Sequence, residues 1–307
     1  METYFIRHRN SVDENVKMHK KLLTEHRIFI HYPWDKTTKR HKRFESRSKN
    51  PEDYEGRGAK TALRKLNELA ENGGYVCAQF PEHPPKPSIW MVGFVPVKSK
   101  IELFKGRWKK EELERWGLNH HSGIAVAKTL RLFKARLLEP ADYALLQTFQ
   151  PQGGTIVRWP KAGDLVEALV LRRKLKPGFD LLSGEHQELL CEEFLRNRLA
   201  LKFGLPQLDC LLCDVGRTMK DLDIYGLATD GKKIFGQVTH NTIKQADRKL
   251  DALKKFRTAN RSYAILFCDC ESLVHRDGVI VFPIRKVYSV FTRTKTGKRW
   301  LNSIFSS

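Results

Sequence analysis

The chain has 307 residues, of which 41% are hydrophobic, and its net charge at pH 7 is +21. This length accommodates two domains of ordinary size, each with its own core. The sequence contains no run of about 18 apolar residues, which excludes a helical membrane span, and residues 1–17 lack the apolar core of a secretory signal. We therefore expect a cytoplasmic protein without a membrane partner, and the excess of cations predicts a polyanionic partner, most simply nucleic acid.

Short apolar runs separated by turns dominate the first half of the chain. The clearest helix covers residues 56–72, where alanines and leucines repeat on one face before Gly73 and Gly74 end it. The other predicted elements are a helix at 10–26, strands at 27–32, 75–80, 89–95, 101–104 and 129–138, a proline-rich loop at 81–87 and a helix at 140–148. The pattern predicts a mixed, barrel-like domain over residues 1–162.

Residues 36–47 combine a dense run of cations with neighbouring aromatic side chains. Cations that contact phosphates and aromatic rings that stack on bases are the two components of many nucleic-acid surfaces. A solvated surface loop is the alternative interpretation of such a run. The candidate DNA-contacting residues are the aromatic Tyr32 and Trp34 and the cations Lys39, Arg40, Lys42 and Arg43.

The second half follows an order of helix, strand, strand, strand, helix and strand. Its longest helical pattern covers residues 184–203 and begins after Ser183, a residue type that caps helix N-termini. The other predicted elements are helices at 164–175, 243–256 and 285–292, strands at 208–215, 263–268 and 279–283, and a hairpin at 221–240. We place this second domain at residues 163–307.

The six cysteines are expected to be reduced in the cytosol. Two pairs, Cys210 with Cys213 and Cys268 with Cys270, have a spacing that a four-thiolate zinc site can use. Both pairs lie in apolar runs typical of strands, which favours core thiols over zinc.

The hairpin at residues 221–240 is the stretch most informative about chemistry. Its two alternating apolar runs flank an Asp-Gly turn. Side chains two apart in a strand share a face, so Asp221 accompanies Asp223 on one strand and Gln237 accompanies Thr239 on the other. Burying such groups costs several kcal/mol unless a partner compensates, and a hard cation such as Mg²⁺ prefers oxygen ligands.

These residues and their order resemble the PD-(D/E)xK nuclease superfamily, and within it the Mrr-like branch of restriction endonucleases, whose third-strand motif begins with Gln. The resemblance covers residues 163–307 and implies an α/β/α core with a mixed sheet. It also implies that Glu188 on the long helix, Asp223 and Gln237 bind Mg²⁺ or Mn²⁺ for the hydrolysis of phosphodiester bonds. In such a site Asp223 is the shared ligand and Glu188 orients a metal-bound water.

The sequence departs from the family where the motif has its lysine, because Thr239 stands at that position. One interpretation moves the role of the lysine to Lys244 on the following helix or, less directly, to Lys233 on the same strand. A second gives this role to the Thr239 hydroxyl or to His240. A third keeps DNA binding and loses cleavage, which makes the chain a catalytically inactive protein with a nuclease fold.

Three further acids near this site, Glu185, Glu192 and Asp221, could also take part in metal binding. Glu185 and Glu192 lie three and four positions from Glu188 on the same helix, so either is a rival for the role of helix acid. Asp221 is expected to support the metal ligands rather than to bind the ion. Asp223 is the hardest of these acids to explain as a surface charge, because apolar residues flank it in the strand.

The first half resembles, on fewer residues, the PUA-like and EVE-like modules that are fused to modification-dependent restriction enzymes. The similarity lies in the run RIFIHYPW, followed by a helix and two apolar strands. Such modules hold an extruded base in an aromatic pocket, which makes Tyr32, Trp34 and Trp90 the candidate stacking residues. For Trp90, the core of an apolar strand is an equal alternative.

The chain is thus expected to be α/β, α+β overall, with a PUA-like β-barrel and helices at residues 1–162 and the nuclease-like core at residues 163–307. The expected function is that of a Mg²⁺-dependent DNA endonuclease of the restriction or phage-defence type, acting on double-stranded DNA with or without modified bases. The alternatives are a DNA-binding protein without activity and an RNA-processing nuclease. Nucleases that cut both strands often act in pairs, so a homodimer is compatible with this function.

Overall fold

A computed structural model describes residues 1–8, 16–32, 35–40, 46–80, 88–107, 114, 124–175, 177–212, 222–258 and 261–305. The chain divides into two compact units, Met1–Leu175 and Lys176–Ser306. No helix in the described part of the chain has the length and apolar character needed to cross a membrane.

The first unit mixes helices with short strands. Its described helices are α1 (Val16–Thr24), α2 (Lys36–Arg40), α3 (Arg57–Asn72), α4 (Pro140–Thr148) and α5 (Gly163–Leu171), with short 3-10 helices at Pro51–Asp53 and Pro160–Ala162. Its described strands are β1 (Thr3–Arg7), β2 (Arg27–Ile30), β3 (Gly74–Phe80), β4 (Ile89–Val95), β5 (Glu102–Arg107), β6 (Ile124–Arg131), β7 (Phe133–Leu138) and β8 (Ile156–Arg158).

The strands described in the first unit form two separate sheets. One has five strands in the order β7-β4-β3-β1-β8, in which β1 and β3 are parallel and the other pairs are antiparallel. The other has three antiparallel strands in the order β2-β6-β5. Neither sheet closes into a barrel among these residues, so the expected PUA-like barrel is corrected to two open sheets.

The physical reason for two sheets lies at Leu132. The alternating pattern of residues 129–138 predicts one strand, but the chain leaves the smaller sheet at the end of β6 and enters the larger one in β7. Leu132 is buried at this bend, and its N–H donates to His26 O at 2.8 Å. A strand that changes sheets at a bend joins two packed sheets instead of continuing one barrel wall.

Helix α3 packs its apolar face into the core of the first unit, as its periodicity predicts. Leu63, Leu66 and Leu69 are fully buried. The helix ends at Gly73, which has a φ of 68°. A Cβ at this position would lie 2.8 Å from Val95 O, so the turn from α3 into β3 requires glycine.

Helix α5 belongs to the first unit, because it packs on β3 and β4. Its buried residues include Leu165, Val166 and Val170. The 3-10 helix Pro160–Ala162 leads directly into α5 without an intervening linker. The division between the units therefore falls after Leu175, later than the position at residue 162 that the sequence suggested.

The second unit also mixes helices and strands. Its described helices are α6 (Gly184–Arg196), α7 (Leu199–Lys202), α8 (Asp247–Phe256), α9 (Ile284–Phe291) and α10 (Lys295–Phe305), with 3-10 helices at Phe179–Leu181 and Ile243–Ala246. Its described strands are β9 (Leu208–Leu211), β10 (Ile224–Ala228), β11 (Lys233–Thr242), β12 (Ser262–Asp269), β13 (Val274–Arg276) and β14 (Val279–Pro283).

The strands of the second unit form one mixed sheet in the order β13-β14-β12-β11-β10-β9. Strands β11, β12 and β14 run parallel, and the outer pairs are antiparallel. Helices α6 and α9 pack with Ile265 and Phe267 on one face, whereas α8 packs with Ala264 and Leu266 on the other. A mixed sheet between helices is thus present, and the described chain as a whole mixes helices with open sheets.

The long helical pattern of residues 184–203 is interrupted at Asn197. Ser183 caps α6 as predicted, because its hydroxyl oxygen accepts the N–H of His186 at 3.2 Å. Asn197 has an extended backbone, and its side-chain oxygen accepts the N–H of Leu199 at 3.1 Å. An Asn side chain bonded in this way competes with continuation of the helix, so the single predicted helix becomes α6 and α7.

Candidate active site

Strands β10 and β11 form the predicted hairpin, and its open end carries the candidate site. The strands pair antiparallel up to Ile224 opposite Gly236. One residue further, the Asp223 N–H still donates to Gly236 O at 2.9 Å, but the Asp223 carboxylate oxygen Oδ2 accepts the N–H of Val238 at 2.7 Å. The carboxylate therefore takes the place of a backbone acceptor where the strands separate, and this bond fixes its position.

A lysine that sequence reasoning did not select completes this cluster. Lys249, in the first turn of α8, places its ammonium 2.7 Å from Val238 O and 3.3 Å from Asp223 Oδ2. Its neighbour Leu250 is buried in the core and holds α8 against the sheet. The sequence offered little signal for Lys249, because α8 carries several cations and only packing decides which of them extends over the hairpin.

The two lysines predicted from the sequence to replace the motif lysine lie elsewhere. Lys244 is exposed on the 3-10 helix that precedes α8. Lys233 is exposed at the turn end of β11, where its ammonium lies 6.0 Å from the centre of the Tyr225 ring. Among these three described lysines, Lys249 is therefore the one that the structure brings to Asp223.

Glu188 on α6 is half-buried and shares the electrostatic environment of Asp223. Burial raises the pKa of Glu188 from an ordinary value of 4.5 to about 7, and the negative charges of Asp223 and then of Glu185 raise it in the same direction. The Lys249 ammonium opposes them, and the Glu192 carboxylate adds a further increase. The charges of Asp223 and Glu188 therefore influence each other across space, and their shared binding of a metal ion stays a prediction.

Helix α6 turns the residues around position 188 toward the hairpin. Cys191 is fully buried one turn beyond Glu188, and its pKa is raised by burial and then by the charges of Glu192, Glu188 and Asp223. Glu185 is exposed in the first turn of the helix. Glu188 is half-buried and its pKa is raised by Asp223, which keeps it as the candidate helix acid ahead of the exposed Glu185.

Strand β11 supplies the remaining polar residues of the predicted motif. Gln237 and Thr239 are both buried, with 3% and 7% of their surface exposed. The Thr239 hydroxyl oxygen accepts the N–H of Asn241 at 3.2 Å, where the pairing of β11 with β12 shifts its register. His240 is exposed. The Thr239 hydroxyl therefore supports the irregular end of the strand.

The oxygen atoms gathered at the hairpin are of the kind that a hard divalent cation uses. Asp223 Oδ2 and Val238 O both contact the Lys249 ammonium, Glu188 interacts electrostatically with Asp223, and Gln237 is the buried residue before Val238 in β11. The described residues include no group of three His, Cys, Asp or Glu side chains that could hold a metal ion, so neutral oxygens and water would complete the set. Because the Lys249 ammonium lies against Asp223 Oδ2 and Val238 O, these two oxygens can hold a cation, and oxygen is the ligand type that Mg²⁺ and Mn²⁺ prefer.

Comparisons of the chain with protein-family models, with curated proteins and with solved structures found no match. The site is characterised by its own contacts. The Val238 N–H holds the Asp223 carboxylate, the Lys249 ammonium contacts both residues, and Glu188 has a pKa near neutrality beside them.

Two of the three candidate base-binding residues of the first unit, Trp90 and Tyr32, lie in the described part of the chain. Trp90 is fully buried in β4 and stacks on Tyr143, with ring centroids 5.4 Å apart. The core interpretation is therefore the one that the geometry supports, and Trp90 is not accessible to a base. Tyr32 is half-buried, and its hydroxyl donates to Gly58 O at 3.2 Å.

The predicted site residues that lie outside the described part of the chain are Trp34, Lys42, Arg43 and Asp221.

Helix α2 carries the described part of the basic run. Lys39 is exposed, and its ammonium lies 2.6 Å from Glu55 Oε2. The Lys36 ammonium donates to Glu52 O at 2.7 Å, and Arg40 is the last residue of the helix. Exposed pairs of this kind contribute little stability, so these cations can exchange their protein partners for phosphates.

The basic run is bounded at both ends by a buried polar network. Asp35 precedes the run and accepts the hydroxyl hydrogen of Ser46, near the C-terminal end of the run, at 2.7 Å. The Lys128 ammonium donates to Ser46 O at 2.7 Å and lies 5.4 Å from the centroid of the Tyr54 ring. Burial lowers the pKa of Lys128 to about 8, although the Asp35 carboxylate opposes this change. The two ends of the run are thus held together on a fixed base.

The expectation of core thiols in the two pairs is confirmed for Cys268, which is buried, whereas Cys270 is half-buried. Cys77 and Cys191 are also buried. The expectation is wrong for Cys210, which is exposed because β9 is an edge strand whose middle residues face outward. Cys213 lies outside the described residues.

Proposed function

We propose that the second unit is a divalent-metal-dependent phosphodiesterase that cuts double-stranded DNA. The observation that carries the proposal is the pairing of Glu188, whose pKa is about 7, with an Asp223 carboxylate that a backbone N–H holds in place, next to the Lys249 ammonium. Carboxylates perturbed by burial and by a specific charged partner are common in catalytic centres. The net charge of +21 favours a polyanionic substrate.

The residues that would hold Mg²⁺ or Mn²⁺ are Asp223, Glu188 and Gln237, together with the carbonyl of Val238. A bound ion of this kind supplies positive charge to the scissile phosphate and lowers the pKa of a coordinated water. Asp223 and Val238 lie at the separating ends of paired strands, and Glu188 lies on a capped helix. Donors on regular elements keep their positions better than donors on loops.

With a divalent ion bound, the Glu188 carboxylate would be ionised and would orient the attacking water beside the ion. Asp223 needs no reorganisation, since the Val238 N–H already orients it. Once a metal ion occupied Asp223 and Val238 O, the displaced Lys249 ammonium would supply positive charge from beside the ion, where an ammonium can stabilise charge that develops on a phosphate. It thereby takes the role that the sequence assigned to Lys244 or Lys233.

For the first unit we propose DNA binding through the basic run that begins in α2. Lys36 and Lys39 are exposed, and the buried contact between Asp35 and Ser46 holds the ends of the run together. Recognition of a modified base by Tyr32 and Trp34 stays a prediction from the resemblance. The restriction or phage-defence role, the homodimer and the cytoplasmic location also stay predictions from the sequence.

A second candidate function is DNA binding without hydrolysis. It is favoured by the ion pair between Lys249 and Asp223, because the ammonium neutralises that carboxylate in place of a metal ion. An RNA-processing nuclease is the third candidate, since the same charges would serve an RNA backbone.

The test is cleavage of supercoiled plasmid, with and without Mg²⁺, by wild type, Asp223→Asn and Asp251→Asn. Asp251 is an exposed residue of α8 that pairs with Lys254, so the last variant is a control with the same change of charge. We expect Mg²⁺-dependent cleavage by wild type and the control, and a loss of about 100-fold or more in Asp223→Asn with DNA binding retained.

Three other outcomes have different meanings. Binding without cleavage by all three proteins would replace the proposal with the second candidate. Faster cleavage of RNA than of DNA would favour the third. Cleavage of methylated plasmid in preference to unmodified plasmid would support base recognition by the first unit.

A further inference from the structure

We propose that the Lys249 ammonium is the resident cation of the site, so that a divalent ion binds only by displacing it. This inference rests on the proposed metal-dependent function and deepens it, because it names the residue that sets the affinity for the metal. It concerns binding of the ion to the protein and can be tested without any measurement of cleavage.

The distances define the position of the ammonium. The Lys249 Nζ lies 2.7 Å from Val238 O and 3.3 Å from Asp223 Oδ2. These are two of the oxygens that a metal ion would use. A divalent ion at a ligand distance of about 2.0–2.1 Å from Val238 O would be at most about 5 Å from the ammonium. Two cations that share the same oxygens repel each other strongly, so occupancy by one disfavours occupancy by the other.

Lys249 can leave this position without unfolding of the helix that carries it. Its side chain is 38% exposed, so the stem has room to move into solvent. Leu250 and Leu253 are buried and keep α8 attached to the sheet while the stem rotates. A lysine is a compact charge on a flexible four-carbon stem, which makes this local movement inexpensive.

Thr239 stands on strand β11 at the position where the family motif has its lysine. A lysine at position 239, as in the family motif, would carry the positive charge on strand β11. The residue at that position is instead a buried threonine whose hydroxyl oxygen accepts the Asn241 N–H. The positive charge that contacts Asp223 comes from Lys249 on a neighbouring helix, where the side chain is 38% exposed.

The first experiment is a calorimetric titration of Mn²⁺ into full-length wild type, Lys249→Met and Lys244→Met. Methionine keeps much of the stem of Lys249 and removes its charge. Lys244 is exposed on the 3-10 helix before α8, so its replacement controls for the loss of one positive charge. We expect Mn²⁺ to bind Lys249→Met about tenfold more tightly than wild type, with Lys244→Met close to wild type.

Equal or weaker Mn²⁺ binding by Lys249→Met, compared with Lys244→Met, would overturn the inference and leave the proposed metal-dependent function standing. If none of the three proteins binds Mn²⁺, the proposed function fails first, and the inference fails with it. The two failures are therefore distinguishable in one set of titrations.

A second measurement uses the wild-type chain and so does not depend on the folding of a variant. Lysines are acylated with an N-hydroxysuccinimide ester, with and without saturating Mg²⁺, and the modified residues are quantified by mass spectrometry. Displacement from Asp223 and Val238 should raise the reactivity of Lys249 several-fold, while Lys244 serves as an internal reference. Unchanged or reduced reactivity of Lys249 in Mg²⁺ would overturn the inference.

Discussion

In the first unit, Lys128 and Asp35 belong to a buried network in which each charge has hydrogen-bonding partners. Lys128 donates to Ser46 O, and Asp35 accepts from the Ser46 hydroxyl and from the Thr38 N–H. Burial alone would raise the pKa of Asp35, but the bonds from Thr38 and Ser46 outweigh it, and the pKa is lowered. The charged form of Asp35 is therefore stabilised by folding.

In the second unit, the cluster of Lys249, Asp223 and Glu188 is balanced in the opposite direction. Burial and the charge of Asp223 raise the pKa of Glu188 to about 7, and Lys249 offsets this only in part. The ionised form of Glu188 is therefore destabilised by folding, which costs stability at neutral pH. The difference lies in the two acids, because burial also destabilises the charged form of Lys128 in the first unit, where its pKa is lowered to about 8. Hydrogen bonds outweigh burial at Asp35, whereas burial prevails at Glu188, and acids perturbed in this way are common at functional sites.

The largest expected effect comes from making the same substitution in both clusters. Asp35→Asn removes the carboxylate that acts on buried Lys128, and it should lower the unfolding free energy of the first unit by about 3–4 kcal/mol at pH 7. Asp223→Asn relieves repulsion on Glu188, so the second unit should change by no more than about 1 kcal/mol. Urea unfolding followed by hydrogen exchange in each unit measures both, and equal losses would abolish the contrast.

The second prediction concerns the pH dependence of the first cluster. The pKa of Lys128 is about 8 in the folded protein and ordinarily 10.5, so the folded state releases this proton first as the pH rises. The unfolding free energy of wild type should therefore rise, relative to Lys128→Met, by about 2–3 kcal/mol between pH 8 and pH 10.5. Thermal or urea unfolding of both proteins across this range is the measurement, and parallel curves would show that Lys128 is not desolvated.

The third prediction concerns the opposite sign in the second cluster. A folded pKa of about 7 for Glu188, above its ordinary 4.5, means that its cost to stability is present above pH 7 and disappears below pH 4.5. Glu188→Gln should be more stable than wild type by about 1–2 kcal/mol at pH 8, with the difference vanishing toward pH 4.5. The exposed Glu271→Gln serves as the control. A constant difference at all pH values would mean that ionisation of Glu188 is not its cause.

The smallest effect tests the helix that positions Glu188. The Ser183 hydroxyl oxygen accepts the His186 N–H at the start of α6, so Ser183→Ala should lower the unfolding free energy by about 1 kcal/mol. Ser183→Thr keeps the hydroxyl and should retain most of the stability. If the two variants unfold alike, the cap does not contribute to holding α6.

Elements with a strong period could be predicted from the sequence. Helix α3 and strand β4 were located within a residue of their observed bounds, because α3 repeats its apolar residues on one face and β4 is a short continuous apolar run. The hairpin of β10 and β11 was found from its turn and its alternation, and this located Asp223. Glu188 was identified only through the family resemblance, because its helix contains several acids that look alike in the sequence.

Tertiary contacts decided the features that the sequence did not reveal. Leu132 continues an alternating pattern, yet the chain changes sheets there, and Asn197 sits inside a helical pattern that its side chain ends. Strand β1 was not predicted, although it lies between β3 and β8 in the larger sheet. Lys249 was missed for a related reason, because the destination of a long flexible side chain depends on how α8 packs.

Anomalous diffraction from crystals soaked in Mn²⁺ tests the central claim most directly, namely that Glu188 and Asp223 serve one divalent ion at the end of the hairpin. We expect a peak about 2.0–2.2 Å from an Asp223 carboxylate oxygen and from Val238 O, on the side of Glu188. We also expect the Lys249 ammonium to have moved away from both oxygens. A peak elsewhere, or no peak while the Lys249 contact to Asp223 persists in saturating Mn²⁺, would contradict this claim.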